Sequence, residues 1–369
     1  MMPVFSSKLG LVQGMFILLI FFSFYGCTSK QDLIIGAVIP LTGWGAYYGT
    51  SELHGMEMAR DEINSAGGIH GNLLQIAAED SKGDGKEAVT ATQKLLNFNT
   101  PLAFVVSFAP PALAIAPILK EAQTPFIYDA YIKSPIQDNP YAFKSHFDPE
   151  MGCKLLVQYA QQKKLHKKLG AIFAQIEYNQ ICLDAAKQLE PDLNVYWYNF
   201  GDTDFRTLFL KAKADGVDTL LILGWENEFI PFFTQKAEQG YNFNILCGTA
   251  SECISSNTLK QLSTSQLNGV IGTDFAAISE KPFVKQYKEK YPGASEANVL
   301  AAAFGYESIQ ILATALNACS QATKECLLNQ LSLVKNYPSV LGTHGFNHQI
   351  LDVDTNLYRF EGNGWKLIS

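Results

Sequence analysis

Charge is scarce in this chain. Asp, Glu, Lys and Arg make up 17% of its 369 residues, and the formal net charge is −7. A nucleic-acid binder carries a clustered basic face, and none is present here. Lys163–Lys164 and Lys167–Lys168 read as solvated helix ends. The six histidines, His54, His70, His146, His166, His344 and His348, form no His-Glu-x-x-His zinc pattern. No Gly-x-Ser-x-Gly elbow and no P-loop occur, which disfavours an α/β-hydrolase and a nucleotide hydrolase. No Cys-x-x-Cys pair occurs either, so neither a thioredoxin motif nor a zinc ribbon is indicated. Carboxylates at strand ends could form an acid–base pair, but scattered acids are usually solvated. On these absences no catalytic residue, metal or cofactor is assigned, and the chain is not expected to be an enzyme.

The amino end is an address tag rather than part of the fold. Lys8 supplies a sparse basic region, and an apolar run extends from Met15 to Phe22. Gly26 directly before Cys27 resembles a bacterial lipoprotein cleavage box, which makes residues 1–26 a signal peptide and Cys27 a lipid-bearing first residue. An uncleaved signal anchor is the alternative, and both place the rest of the chain outside the cytoplasm. Setting Cys27 aside leaves an even number of cysteines, which an exported chain can pair. Cys319–Cys326, in a short loop between two helical runs, is the first candidate. Cys153–Cys182 and Cys247–Cys253 follow, with buried free thiols as the alternative.

Hydrophobic residues are 47% of the chain, enough for two cored domains. From Leu33 onward, short β-branched runs alternate with helical periods. Leu33–Pro40, Leu73–Glu79, Leu102–Ser107 and Pro125–Asp129 read as strands. Ser51–Asn64, Lys86–Leu96 and Ala112–Ala122 read as helices. The rhythm restarts at Leu169 and runs to Phe275, and helices then follow without strands. A βα series implies a parallel sheet with helices on both faces. Two such series imply two similar α/β lobes. No Gly/Ser linker separates them, so crossings through tight hinges are expected near residues 145, 275 and 346. The first lobe is then 28–145 plus 276–345, and the second is 146–275 plus 346–369.

Gly43-Trp-Gly-Ala-Tyr-Tyr-Gly49 sits between a strand and a helix, where a dinucleotide fold places glycines. Trp44, Tyr47 and Tyr48 would crowd a diphosphate, and Pro40-Leu41-Thr42 lengthens the turn. A different likeness covers more of the chain. Ile35 to Gly43, Glu62-Ile-Asn64, Ala66 to Ile69, Glu79 to Asp84, and later Phe143 to Ser145, Tyr178, Gly240 and Gly248 carry it. This pattern resembles the type I periplasmic binding proteins, specifically the branched-chain amino-acid (Leu/Ile/Val) binding family of ABC importers. The resemblance implies two Rossmann-like lobes in a Venus-flytrap arrangement, with a multi-crossover hinge and a ligand between them.

Ligands of open α/β sheets sit beyond the carboxyl ends of strands, at helix N-termini. Four such turns are rich in aromatic and polar residues: Trp44–Tyr48, Ser107–Ala109, Tyr128–Lys133 and Trp225–Glu228. The resemblance puts Tyr48 on one lobe and Tyr178 and Trp225 on the other as aromatic lids, with core packing as the alternative for each. It also implies a carboxylate grip after the third strand, but here that turn reads Ser107-Phe108-Ala109-Pro110-Pro111, and proline has no N–H. A later family position, usually Thr, is Lys133. The acid that pairs with a ligand ammonium falls on Ala250, with Glu252 and Glu226 close in sequence. The candidate ligand residues are therefore Tyr48, Ser107, Ala109, Tyr128, Lys133, Tyr178, Trp225, Glu226 and Glu252. These departures imply a ligand other than a standard α-amino acid. Lys133 either neutralises a ligand carboxylate or is solvated at the rim.

The expected function is capture of a small molecule, an amino acid or a related amide or carboxylate, in the cleft between the lobes and its delivery to an ABC permease and its ATPase, by a monomer tethered to the membrane through Cys27. A sensor of the same fold without transport is the alternative of another class. An exported enzyme on the dinucleotide-like turn is the third.

Overall fold

All but one residue of the strand Leu33–Ile39 is buried, and all of Ala103–Ser107. Helices cover both faces of a parallel sheet, so its central strands are continuous apolar runs. The computed structural model describes residues 32–146, 148–275, 282–352 and 355–368. Its first half runs β1 (Leu33–Ile39), α1 (Ala46–Ser65), β2 (Leu74–Asp80), α2 (Gly85–Phe98), β3 (Ala103–Ser107), α3 (Ala109–Glu121), β4 (Phe126–Asp129) and β5 (Ala142–Lys144).

The pattern then repeats. It runs α4 (Pro149–Gln162), β6 (Leu169–Ala174), α5 (Glu177–Leu189), β7 (Asn194–Tyr198), α6 (Arg206–Ala214), β8 (Thr219–Leu223), α7 (Glu226–Glu238) and β9 (Asn244–Cys247). Short helices α8 (Ala250–Cys253), α9 (Ser256–Gln261) and α10 (Thr264–Leu267) lead to β10 (Ile271–Phe275). The C-terminal part comprises α11 (Pro282–Lys290), α12 (Glu296–Asn317), α13 (Lys324–Leu331), β11 (Tyr337–Ser339), β12 (Gly342–Asn347), β13 (Ile350–Asp352), β14 (Thr355–Glu361) and β15 (Gly364–Leu367).

Two separate sheets result. The first has the order β11-β12-β13-β5-β4-β3-β1-β2, the second β15-β14-β10-β9-β8-β6-β7. Within them, β5-β4-β3-β1-β2 and β10-β9-β8-β6-β7 are the same winding, so the two lobes are similar, as expected. In each, the order reverses between two neighbours, β1 and β3 in one and β6 and β8 in the other. The C-terminal strands extend both sheets, β13 parallel to β5 and β14 antiparallel to β10. Because β12 and β13 pair into the first sheet, the chain leaves that sheet after Asp352 and not near residue 346. These strands are short and mostly polar, which hid them in the sequence. Helix α4 and strand β5 were likewise not expected.

Each lobe is a three-layer sandwich. Around the first sheet, α1, α12 and α13 cover one face, and α2 and α3 the other. Around the second, α4 and α5 face α6 and α7 across the strands. Helix α12 is long and apolar enough to cross a membrane, but it is a core helix lying on α1. The contact is backbone to backbone: a Cβ at Gly55 would lie 1.8 Å from the Ala302 carbonyl oxygen, and one at Gly305 would lie 2.1 Å from that of Glu52. Helix α1 ends where expected, with Gly67 and Gly68 at φ 106° and 72°, a region open to residues without a Cβ. It begins earlier than expected, at Ala46, so Tyr47 and Tyr48 lie in its first turn.

All three expected cysteine pairs are bonded. Cys153–Cys182 joins α4 to α5 across a separation of 29 residues; Cys247–Cys253 and Cys319–Cys326 close loops of 6 and 7. A longer closed loop removes more entropy from the unfolded chain, so the first bridge should stabilise most. Replacing Cys153 and Cys182 together by Ser is expected to lower stability by about 3.5 kcal/mol, against about 2.5 kcal/mol for Cys319 and Cys326. Urea unfolding of the oxidised double variants checks both the sizes and the order.

Candidate functional site

In each sheet the chain winds outward in both directions from one pair of neighbouring strands. The turns leaving those strands diverge, and a crevice opens at their carboxyl ends. The turns after β1 and β3 supply Trp44, Tyr48 and Phe108; those after β6 and β8 supply Tyr178 and Trp225. Aromatic residues on the two lobes thus occupy equivalent places in the winding.

On the first lobe, Trp44 stacks on Phe108 with ring centroids 4.9 Å apart and planes 8° from parallel. Tyr48 lies 5.3 Å from the same ring. Phe108 holds φ 72° and ψ 154°, a backbone region that normally costs a non-glycine residue about 1–3 kcal/mol. Space for its ring comes from Gly45, where a Cβ would lie 2.5 Å from it. The Phe108 N–H donates to the Asp129 carbonyl at 3.0 Å. Helix α3 therefore begins Ala109-Pro110-Pro111 with only Ala109 carrying an N–H.

Beneath these rings lies a buried acidic pair. Tyr48 donates its hydroxyl to Asp129, and Ser107 donates its hydroxyl to Glu52. Glu52 is 0% exposed and Asp129 2%. Burial raises the Glu52 carboxyl well above the usual range, and the charge of Asp129 raises it further. Burial also raises Asp129, while His146, Tyr48 and Lys144 pull it back. The Tyr48 hydroxyl is held well above its ordinary value by burial and then by the charges of Asp129 and Glu52. His146 Nε2 stands 3.9 Å from Asp129 Oδ1, and its ring stacks on Phe304. Lys144 is fully buried, gives a hydrogen bond to the His146 carbonyl at 2.6 Å, and is pushed down to about 8 by burial.

On the second lobe, Tyr178 opens α5 and Trp225 caps α7, their rings 6.0 Å apart. Phe200 meets Trp225 edge-on at 5.1 Å. Burial raises the Tyr178 hydroxyl, which shares a hydrogen bond with Thr249 and feels the charges of Glu252, Asp274 and Asp148. The Asp274 carboxylate accepts the Ser251 N–H at 2.7 Å and so fixes the turn that carries Thr249 and Glu252. The Cys247–Cys253 bridge closes the same turn.

Helix α12 packs on α8, and two side chains of the turn after β4 also reach the second lobe. Tyr131, in the turn after β4, meets Tyr178 at 5.3 Å. Lys133 reaches Asp148 at 2.7 Å and Glu150 at 3.1 Å, at the start of α4. The Lys133 side chain is 41% exposed, and both acids hold its ammonium group at the rim. Tyr128 also departs from expectation. It is 0% exposed, donates its hydroxyl to the Ile132 carbonyl at 2.9 Å, and packs among α2 and α3 on the far face of the sheet. Side chains alternate along a strand, so Asp129 takes the place given to Tyr128.

Tyr48, Tyr178 and Trp225 pack into one hydrophobic cluster with Tyr131. Ser107 and Ala109 are buried, Ala109 in the separate cluster that holds Tyr128, and Glu252 is half-buried in α8. Glu226 is the first residue of α7, and its side chain and Cys27 lie outside the described residues. Tyr131, Phe108, Phe200 and the acids Glu52, Asp129 and Asp274 were not singled out in the sequence. Tyr131 and Phe108 lie inside turns that were, but Glu52 sits mid-helix with nothing to distinguish it. Among the described residues no group of His, Cys, Asp and Glu is arranged to hold a metal. An open groove of about 510 Å³, lined by Leu165, Asn244, Gly269 and Arg359, lies at the opposite, amino end of the second sheet.

A family model described as periplasmic binding protein matches residues 33–364. The chain belongs to that family. Two Leu/Ile/Val-binding protein homologues are among the similar proteins of this family. Homologue 1 of Brucella suis biovar 1 (strain 1330) is 23% identical over 339 residues, covering 88% of this chain and 89% of its own. Homologue 7 of Brucella abortus (strain 2308) is 23% identical over 295 residues, covering 71% and 72%. Among solved structures, a branched-chain amino-acid transporter substrate-binding protein of Streptococcus pneumoniae, in complex with isoleucine, superposes with a TM-score of 0.75. It is 22% identical and covers 92% of this chain and 99% of its own. A solute-binding protein of R. palustris, in complex with 4-hydroxybenzoate, has a TM-score of 0.75 at 16% identity, with coverages of 91% and 95%. These structural likenesses match the two-lobe periplasmic binding protein fold.

The acidic pair makes the stability of this periplasmic binding protein depend on pH. The raised Glu52 carboxyl binds its proton more tightly folded than unfolded, so stability falls as pH rises from the usual Glu range towards the folded value. Glu52→Gln removes that loss. Its unfolding free energy is expected to drop less than that of the natural protein between about pH 4 and about pH 8. Denaturant titrations at both ends of the range provide the check.

Proposed function

We propose that the chain is an extracytoplasmic solute-binding lipoprotein that closes its lobes on a small molecule and presents it to an ABC import permease. The observation that carries this reading is the meeting of Tyr131 with Tyr178 across the two lobes. A site assembled from both lobes is complete only when they are closed. A ligand that touches both walls therefore shifts the open–closed equilibrium by its differential affinity for the closed state. The family match and the names of the similar proteins support the same reading. Cys27 is the residue that would carry lipid and hold the chain at the membrane.

Trp225 and Tyr178 would line the second-lobe wall, and Tyr48 and Tyr131 the first. The test is a thermal-shift screen of the full chain in detergent against amino acids, amines, aromatic acids and short peptides. A ligand at about 100 times its dissociation constant should add about 2.7 kcal/mol of stability. Trp225→Ala is expected to weaken binding of any hit at least about tenfold, the worth of roughly 1.4 kcal/mol, without lowering the stability of the empty protein by a comparable amount. Cys27→Ala should release the protein from the membrane fraction. A hit whose affinity ignores Trp225 would place the ligand elsewhere.

A further inference from the structure

Aromatic rings form a series that spans both lobes. On the first, Trp44 stacks on Phe108 at 4.9 Å, and Phe108 lies 5.3 Å from Tyr48. Tyr48 and Tyr131 pack into the same cluster as Tyr178 and Trp225. Tyr131 meets Tyr178 across the lobes, Tyr178 meets Trp225, and Trp225 meets Phe200. The middle rings of this series pack on one another, and its end rings keep open surface. Trp44 is 71% exposed at one end and Phe200 58% at the other. Phe108 and Trp225, next to them, are half-buried. All four sit in turns at the carboxyl ends of strands, after β1 and β3 in one lobe and after β7 and β8 in the other.

The pair on the first lobe is seated by its surroundings. A Cβ at Gly45 would lie 2.5 Å from the Phe108 ring, although Gly45 has an ordinary φ of −91°. Its missing side chain therefore serves the ring and not the backbone. A Cβ at Gly83 would lie 3.3 Å from the Trp44 ring and 3.4 Å from that of Phe108, so both rings rest on the turn after β2. The Asp80 carboxylate ties these turns together by accepting the N–H of Leu41 and that of Lys82, each at 2.8 Å. The Ser107 hydroxyl and the Phe108 N–H are used inside the lobe, by Glu52 and by the Asp129 carbonyl. An open tryptophan face and a phenylalanine at φ 72° do nothing for the empty fold, and backbone strain of this kind gathers at ligand sites.

We propose that the cleft selects a flat aromatic solute, held between the Trp44–Phe108 pair of the first lobe and the Trp225–Phe200 pair of the second when the lobes close. This rests on the solute-binding reading above and names the ligand class for the same site. A planar ring against a planar ring gains more than its buried area alone, and a saturated ring of the same size does not. Rings already fixed by stacking lose little freedom when the ligand arrives. Trp44 is then a ligand-contact residue and sets the preference for planarity, whatever head group the solute carries.

Matched pairs that differ only in ring saturation test this by calorimetric titration of the full chain in detergent. They are benzoate and cyclohexanecarboxylate, benzamide and cyclohexanecarboxamide, 2-phenylethylamine and 2-cyclohexylethylamine, and L-phenylalanine and L-cyclohexylalanine. In at least one pair the aromatic member is expected to bind at least about fivefold tighter than its saturated partner. Trp44→Leu should weaken that aromatic ligand at least about fivefold and narrow the gap within the pair. Because Trp44 is largely exposed, the replacement should leave the melting temperature nearly unchanged. Phe98, the last residue of α2, is 80% exposed at the opposite, amino end of the first sheet. Phe98→Leu should leave both affinities unchanged, which sets the site apart from exposed aromatic residues in general. A saturated member that binds as tightly as its aromatic partner in every pair that binds overturns the ligand class, and so does an aromatic ligand indifferent to Trp44→Leu. If such a ligand still loses affinity in Trp225→Ala, the solute-binding role stands. Absence of binding by all of these probes overturns the class too, and the wider screen then decides the role.

Discussion

Everything functional in this protein follows from burial on both faces of its two parallel sheets. Helices cover the faces, so only the strand ends are open for chemistry. At the carboxyl ends, the two directions of winding part between β1 and β3, and again between β6 and β8. Each parting leaves a crevice whose walls are loop-to-helix turns. Because the lobes wind identically, their crevices can oppose each other, and Tyr131 and Tyr178 meet where they do. The aromatic wall is a consequence of topology as much as of composition.

The first-lobe wall concentrates unfavourable terms. Phe108 holds a backbone conformation suited to glycine, and Glu52 and Asp129 share a dry interior under Tyr48. Neither feature helps the empty protein fold. Strain and buried charge of this kind persist only where surrounding structure over-determines them. Here the surroundings are the backbone-to-backbone packing of α1 on α12 at Gly55 and Gly305. That contact fixes Glu52, whose carbonyl and side chain lie against Gly305, and with it the Ser107 hydroxyl. The hinge side is held more conventionally, by Lys133 between two carboxylates and by His146 stacked on Phe304.

The second lobe places its polar groups differently. A disulfide, a carboxylate-to-amide bond and a phenol–threonine bond converge on one short turn after β9. A rigid turn loses little entropy when a ligand arrives, so more of the contact energy is expressed as affinity.

Much of the fold was legible in the residues. The β-branched runs, the helical periods and the paired glycines after α1 are local signals, and local signals report local backbone preference. They placed nearly every strand of the two series and the even cysteine count that proved to be three bridges. They also placed Tyr48, Tyr178 and Trp225 in turns at strand ends, where the folded chain brings them into one cluster. They could not decide which way a strand presents its side chains, and Tyr128 and Asp129 exchanged roles for that reason. Nor could they show that Lys133 is already paired, that Glu52 faces Ser107, or that strands after residue 337 extend both sheets. Those facts depend on residues far apart in sequence, such as Glu52 with Ser107 or Gly55 with Ala302. Pairings of that kind are set only when the packed lobes bring distant segments together. Sequence determined the elements and the aromatic character of the turns; tertiary structure alone decided which strand faces turn inward and which side chains pair, because those depend on segments distant in the chain.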